Sequence, residues 1–242
     1  MRDVRWKEVV FCLVTLITLP AAGQNFQWAR RNNPEYDKRK FTYGFSIGIH
    51  TSSYQTRYSD KFVTGSLSNI NFVRAKFNGG FSLGFLVNRR LHDMLDIRLM
   101  PKAGFYNHEL TYYYVTADPK TKKISESQLV ETTMVEMPLL LKYKSMRRGN
   151  IRMYMVGGVT PSFEASGKKE VLSTDEKLSI RKGNLSLEGG IGFDLYFPLF
   201  KLSPEIRYSR GVVNILGNYA SAFREPLQSI NTNTISVYFI FQ

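Results

Sequence analysis

Residues 41–50 alternate without a lapse. Phe41, Tyr43, Phe45, Ile47 and Ile49 fall on one face of an extended chain, and Thr42, Gly44, Ser46, Gly48 and His50 on the other. Successive side chains of a strand point to opposite faces. A strand with large apolar side chains opposite glycine, hydroxyls and charge needs hydrocarbon outside and a polar interior.

Seven more stretches repeat the pattern. In 77–88, Phe77, Phe81, Leu83 and Phe85 oppose Asn78, Ser82 and Asn88. In 95–108, Leu95, Ile97, Leu99 and Phe105 oppose Asp96, Arg98, Lys102 and Tyr106. In 133–144, Val135, Met137, Leu139, Leu141 and Tyr143 oppose Glu136, Pro138, Lys142 and Lys144. Residues 151–161 set Met153, Met155 and Val159 against Arg152, Tyr154 and Thr160, and 185–197 set Leu187, Ile191 and Phe193 against Glu188, Gly190 and Asp194. Residues 202–209 and 234–242 close the series, with Ile206 and Tyr208 against Glu205 and Arg207, then Val237, Phe239 and Phe241 against Ser236 and Tyr238. One or two alternating runs arise in any sheet protein; eight in order require a common cause.

The connections have their own rhythm. Those at 89–94, 145–150 and 198–201 are short, and those at 51–76, 109–132, 162–184 and 210–233 are long. The expected fold is therefore all-β: an eight-stranded antiparallel up-and-down transmembrane β-barrel with short periplasmic turns, long extracellular loops and both termini periplasmic. A soluble eight-stranded barrel with the same pattern would have to fill a narrow lumen with Phe, Tyr and Leu rows, whereas glycines and hydroxyls suit such an interior.

The amino terminus reads as an export signal. Arg2, Arg5 and Lys7 precede an apolar run from Val9 to Leu19 that ends in Pro20-Ala21-Ala22-Gly23, with cleavage expected after Gly23. The run is too short to span a bilayer core. The lone cysteine, Cys12, lies inside it, so the mature chain is expected to lack thiol chemistry. The divisions are thus 1–23 signal, 24–40 periplasmic arm and 41–242 barrel.

The whole chain carries +13, of which the signal holds +1, leaving +12. Export argues against nucleic acid as the counter-charge. Basic loops facing membrane lipid, anionic lipopolysaccharide or an acidic partner fit better. Mean hydropathy is only −0.24, as expected where every second residue faces a polar interior.

Strand charges fall mostly on the inward face. Asp96, Glu136, Glu188, Asp194 and Glu205 match Arg98, Lys102, Lys142, Arg152 and Arg207 in number. Buried charges persist only when paired and hydrogen-bonded, so these ten are expected to form a network that fills the barrel and leaves no pore. His50-Thr51-Ser52 resembles the His-x-Ser pair of outer-membrane lipid A deacylases, with Glu109 beside His108 as a possible orienting acid. The same histidines read more simply as solvated rim residues, and His92 as a turn residue. No cofactor or metal spacing is present, and no catalytic residues are assigned.

Particular residues also resemble a family. Asn33-Pro34-Glu35-Tyr36-Asp37 with the basic run Lys38–Lys40 and the following aromatic-glycine strand is similar to the PorT family of outer-membrane barrels. So are Glu136-Met137-Pro138-Leu139-Leu140-Leu141-Lys142 and Pro204-Glu205-Ile206-Arg207-Tyr208-Ser209. The resemblance implies a non-enzymatic outer-membrane component of the type IX secretion system, which exports proteases and adhesins with C-terminal sorting signals. It also implies contacts with other secretion-system proteins. Within the arm, Trp28, Arg30, Arg31, Tyr36 and Lys38 combine aromatic and cationic groups suited to docking. The competing expectations are a passive structural or adhesin-type barrel and a lipid A-modifying enzyme. The closing Tyr238-Phe239-Ile240-Phe241-Gln242 resembles the recognition signal for barrel insertion.

Overall fold

The computed structural model describes residues 31–64, 70–115, 124–165, 180–217 and 223–242. The expected signal and the first part of the arm, with Trp28 and Arg30, lie outside the described residues.

Among the described residues, eleven strand segments follow a short 3-10 turn at Tyr36–Lys38. They are β1 (Phe41–Tyr58), β2 (Ile70–Lys76), β3 (Asn78–His92), β4 (Leu95–Leu99), β5 (Lys102–Tyr114), β6 (Ser125–Glu136), β7 (Leu139–Lys144), β8 (Ile151–Glu164), β9 (Gly183–Tyr196), β10 (Lys201–Gly211) and β11 (Leu227–Phe241). A one-turn helix, α1 (Asp60–Val63), follows β1. Only Phe77 separates β2 from β3, Met100-Pro101 separates β4 from β5, and Met137-Pro138 separates β6 from β7. The eleven segments are therefore eight staves. All pairings are antiparallel, and the ring closes where Ile47 on β1 faces Leu83 on β3 to one side and Phe239 on β11 to the other.

Proline explains two of the interruptions. It offers no N–H to a ladder, but its carbonyl still accepts. Phe85 N donates to Pro101 O at 2.9 Å, Met100 N to Pro138 O at 3.0 Å and Met137 N to Pro161 O at 3.0 Å. The three prolines thus step diagonally across adjacent staves. Each residue preceding Pro101 and Pro138 is held by the next proline's carbonyl.

Side-chain direction follows the sequence alternation. Phe85 is 72% exposed on the outer surface, whereas Arg98 and Lys142 are fully buried. Tyr43, Phe81, Leu141, Met155 and Ile191 share the outer face, and Ser46, Ser82, Glu136, Asp194 and Glu205 the inner. Small residues on the inner face make room for the large ones. A Cβ on Gly48 would strike Ser82 Oγ and the Tyr238 ring, and one on Gly192 would strike the Tyr154 ring.

The staves run farther at the long-loop end than the sequence pattern indicates. β1 continues to Tyr58, β5 to Tyr114 and β8 to Glu164, while β6 and β11 begin at Ser125 and Leu227. In this upper tier apolar side chains also fill the inner face. Tyr54, Leu110, Tyr112, Leu227 and Ile230 turn inward and pack with Val73 and the loop residues Ile215, Leu216 and Phe223. Gln55 and Arg57 face outward. Beyond the hydrocarbon both faces meet water, so the wall adopts the apolar-in arrangement of a soluble sheet and its apolar core caps the barrel.

Candidate functional site

The interior below that cap is a continuous set of ion pairs. Arg98 on β4 donates to Glu205 on β10 at 2.8 Å, and Tyr154 on β8 donates to the same carboxylate at 2.7 Å. Arg207 bonds Glu205 through Nε and reaches Glu188 at 3.2 Å. Lys142 holds both oxygens of Asp194, at 2.8 and 2.7 Å, and Ser203 Oγ donates to Asp194 at 2.6 Å. Lys102 lies 2.6 Å from Glu136, which also accepts from Tyr106 at 2.7 Å. Lys144 closes on Asp96 at 2.6 Å.

The alternation turns each of these charges inward. Each charge occupies an inward register position, and in a barrel of eight staves inward side chains from opposite walls meet. Charged partners remove the cost of stranding either ion in a water-poor interior. Cationic side chains also lie over aromatic rings: Lys142 Nζ is 3.6 Å from the Tyr154 ring centre and Arg207 is 4.4 Å from that of Tyr238. A small apolar layer of Leu86, Met100, Tyr238 and Ile240 completes the filling.

At the short-turn end the mouth is covered by the arm. Asn33 takes a left-handed backbone conformation, φ 48°, which asparagine tolerates better than most residues, and Pro34 follows it. Asn32 N donates to Asn150 Oδ1 at 2.8 Å, Asn32 Nδ2 to Tyr196 O at 3.0 Å and Asn33 Nδ2 to Phe197 O at 2.8 Å. The turn then inserts Tyr36 and Asp37. The Tyr36 ring meets Tyr196 edge-on at 5.9 Å, with Lys201 Nζ 4.6 Å from its centre. The Asp37 carboxylate accepts from Arg152 at 2.9 Å, Tyr196 at 2.8 Å and Arg147 at 3.4 Å, while Arg90 donates to the Asp37 carbonyl at 2.5 Å.

The structure places all ten of the inward strand charges inside the barrel. Nine meet partners on other strands or their own; Arg152 instead meets Asp37 of the arm. Of the docking candidates, Arg31 is exposed and Lys38 forms an exposed pair with Glu35 at 2.9 Å. Tyr36, also a docking candidate, turns inward. Its ring is buried against the barrel mouth, because its apolar face finds Tyr196 there.

His50 and His108 also depart from the solvated-rim reading. Both are buried, His50 stacked on Tyr106 at 4.2 Å and His108 on Tyr54 at 4.1 Å. The wall and its cap rise above them, which places these positions indoors. Ser52 Oγ is buried too and makes no hydrogen bond to His50 among the described residues. His92 is exposed at the end of β3.

Sequence reasoning missed Lys201, which it placed in a turn, and both Asp37 and Arg147. Lys144 and the tyrosines at 106, 154 and 238 carried a usable signal: all sit in phase with the inward charges of their strands.

A family model described as an outer membrane protein beta-barrel domain matches residues 23–217. No curated protein matches the sequence. Among solved structures, the chain is similar to the crystal structure of Neisserial surface protein A, with 10% identity over 84% of this chain and 98% of that one and a TM-score of 0.42. It is likewise similar to the outer membrane protein OprG from Pseudomonas aeruginosa, with 16% identity, coverage of 82% and 93% and a TM-score of 0.43. Ail, the attachment invasion locus protein of Yersinia pestis, shares 13% identity over 84% and 99% of the two chains at a TM-score of 0.34.

Proposed function

Given that the chain belongs to the outer membrane protein beta-barrel domain family, we propose that this outer-membrane barrel is a non-enzymatic component of type IX secretion, required for export of proteins bearing C-terminal sorting signals. The short-turn end, with the arm and both chain ends, faces the periplasm in this reading. The long-loop end faces outward toward lipopolysaccharide.

The single observation that carries the non-conduit part is the filled interior. Arg98, Glu205, Arg207 and Glu188 link opposite walls, all fully or almost fully buried, and the apolar cap and the arm lie at the two ends. A barrel so occupied serves export through its surfaces. The resemblance of 33–48, 136–144 and 204–209 to the PorT family supports type IX secretion as the setting. The inward burial of His50 and Ser52, away from any membrane-facing position, supports a non-enzymatic role.

A strain lacking the gene tests this reading. Sorting-signal cargo is expected to accumulate unsecreted in the periplasm, with restoration by the intact chain. Normal cargo export combined with raised detergent sensitivity would identify a passive envelope barrel instead.

A further inference from the structure

We propose that the cavity at the short-turn mouth, between the arm and the ring of strands β1, β3, β4 and β7 to β10, binds a small phosphoryl anion at its opening. This inference is independent of any role in export. Its enclosed space is only about 20 Å³, so the anion seats in the open mouth, and six cations line the site: Arg39, Lys40, Arg90, Lys144, Arg152 and Lys201.

Three carboxylates also line the cavity, and each is already engaged. Asp96 is held by Lys144 at 2.6 Å, Asp194 chiefly by Lys142 at 2.7 Å, and Asp37 by Arg152 at 2.9 Å. Arg39 and Lys40 have no carboxylate partner among the described residues, and both are exposed at the cavity edge. Arg90 is drawn outward to Asp93 through Nη2 and touches the Asp37 carbonyl through Nη1. Deeper in, Arg152 Nε is buried without a hydrogen-bond acceptor. The cavity thus carries an uncompensated positive rim.

The larger cavity beneath the apolar cap lacks this imbalance. Its Lys102 is matched by Glu136 and its Glu188 by Arg207. At the mouth, by contrast, a concave wall concentrates the surplus positive field. A monovalent carboxylate would leave part of that surplus standing. A phosphoryl group carries more charge and offers several acceptor oxygens to forked guanidinium donors.

Calorimetric titration of the folded barrel in neutral detergent, with inorganic pyrophosphate at low ionic strength, tests the proposal. Saturable binding is expected, weakened about tenfold or more by the Arg39→Gln, Lys40→Gln double variant, as loss of charge-assisted contacts requires. Lys38→Gln, whose side chain pairs with Glu35 outside the cavity, should bind as the parent does. Unheated gel migration establishes that each variant is folded. A second arm compares nanodiscs of phosphatidylglycerol with nanodiscs of phosphatidylcholine. Phosphatidylglycerol retention that falls in the double variant, without uptake of soluble pyrophosphate, assigns the cavity to a lipid headgroup phosphate. Absence of both kinds of binding, or equal weakening by Lys38→Gln, overturns the proposal.

Discussion

Arg98 and Glu205 stand 107 positions apart in the chain and 2.8 Å apart inside the barrel, both with fully buried side chains. Glu205 also receives Arg207 and Tyr154, so one carboxylate organises two guanidiniums and a phenol. Its loss would leave two buried cations without their shared counter-ion.

Glu205→Ala is therefore expected to destabilise the folded barrel by about 3–5 kcal/mol, the range for breaking a buried pair. Glu205→Gln keeps an acceptor oxygen and should cost less. Urea unfolding in lipid vesicles measures both; equal stability of Glu205→Ala and parent would refute the central place given to this carboxylate.

Outward register makes a second prediction. Ile191 lies on the lipid-facing side of β9, opposite Met155 and Ile206. Ile191→Arg should cost about 2–4 kcal/mol, as an arginine near the bilayer midplane does. Gln55→Arg, in the upper tier, should cost close to nothing. Vesicle unfolding of the two variants side by side checks the contrast, and similar values would show that the hydrocarbon boundary is misplaced.

Gly48 provides a packing test. Any Cβ there collides with Ser82 Oγ and the Tyr238 ring, and Tyr238 is itself held by Lys102 at 2.5 Å. Gly48→Val should lower stability by about 1–3 kcal/mol through overpacking, visible as a reduced folded fraction on unheated gels. Gly189, where a Cβ meets nothing within 4 Å, should accept alanine with little change.

The arm makes the fourth. Asp37 is the arm's charged anchor, and its carboxylate is partly solvent-exposed, so its bonds to Arg152 and Tyr196 are discounted for screening. Asp37→Asn should still speed tryptic cleavage at Lys38–Lys40 roughly tenfold, corresponding to about 1.4 kcal/mol of weakened docking. A cleavage time course on the folded barrel gives the answer; an unchanged rate would mean that Tyr36 and the Asn32 and Asn33 contacts hold the arm alone.

The barrel was legible in the sequence because alternation is a local property. Phe45, Leu139 and Phe193 face outward and Arg98, Glu136 and Glu205 inward in the phase that their neighbours dictate. The partners within the interior were not legible. Asp37 and Arg152 are 115 positions apart, and the arm has no period to reveal which of its residues turns inward. The upper tier carries no strand signal for a different reason. Around Ser125–Gln128 polar residues occupy both faces, so alternation vanishes although the ladder with β5 persists. His50 and His108 were misplaced as a result, since the cap above them is built from distant segments.

The change of side-chain polarity along the staves also sets the vertical position of the molecule. Sinking by a single residue pair would carry Gln55, Arg57 and Glu109 toward acyl chains, while rising would leave Phe41, Tyr43 and Phe241 in water. Both displacements are opposed, so the barrel sits at one depth. Whatever meets its turns meets them at a constant height above the bilayer.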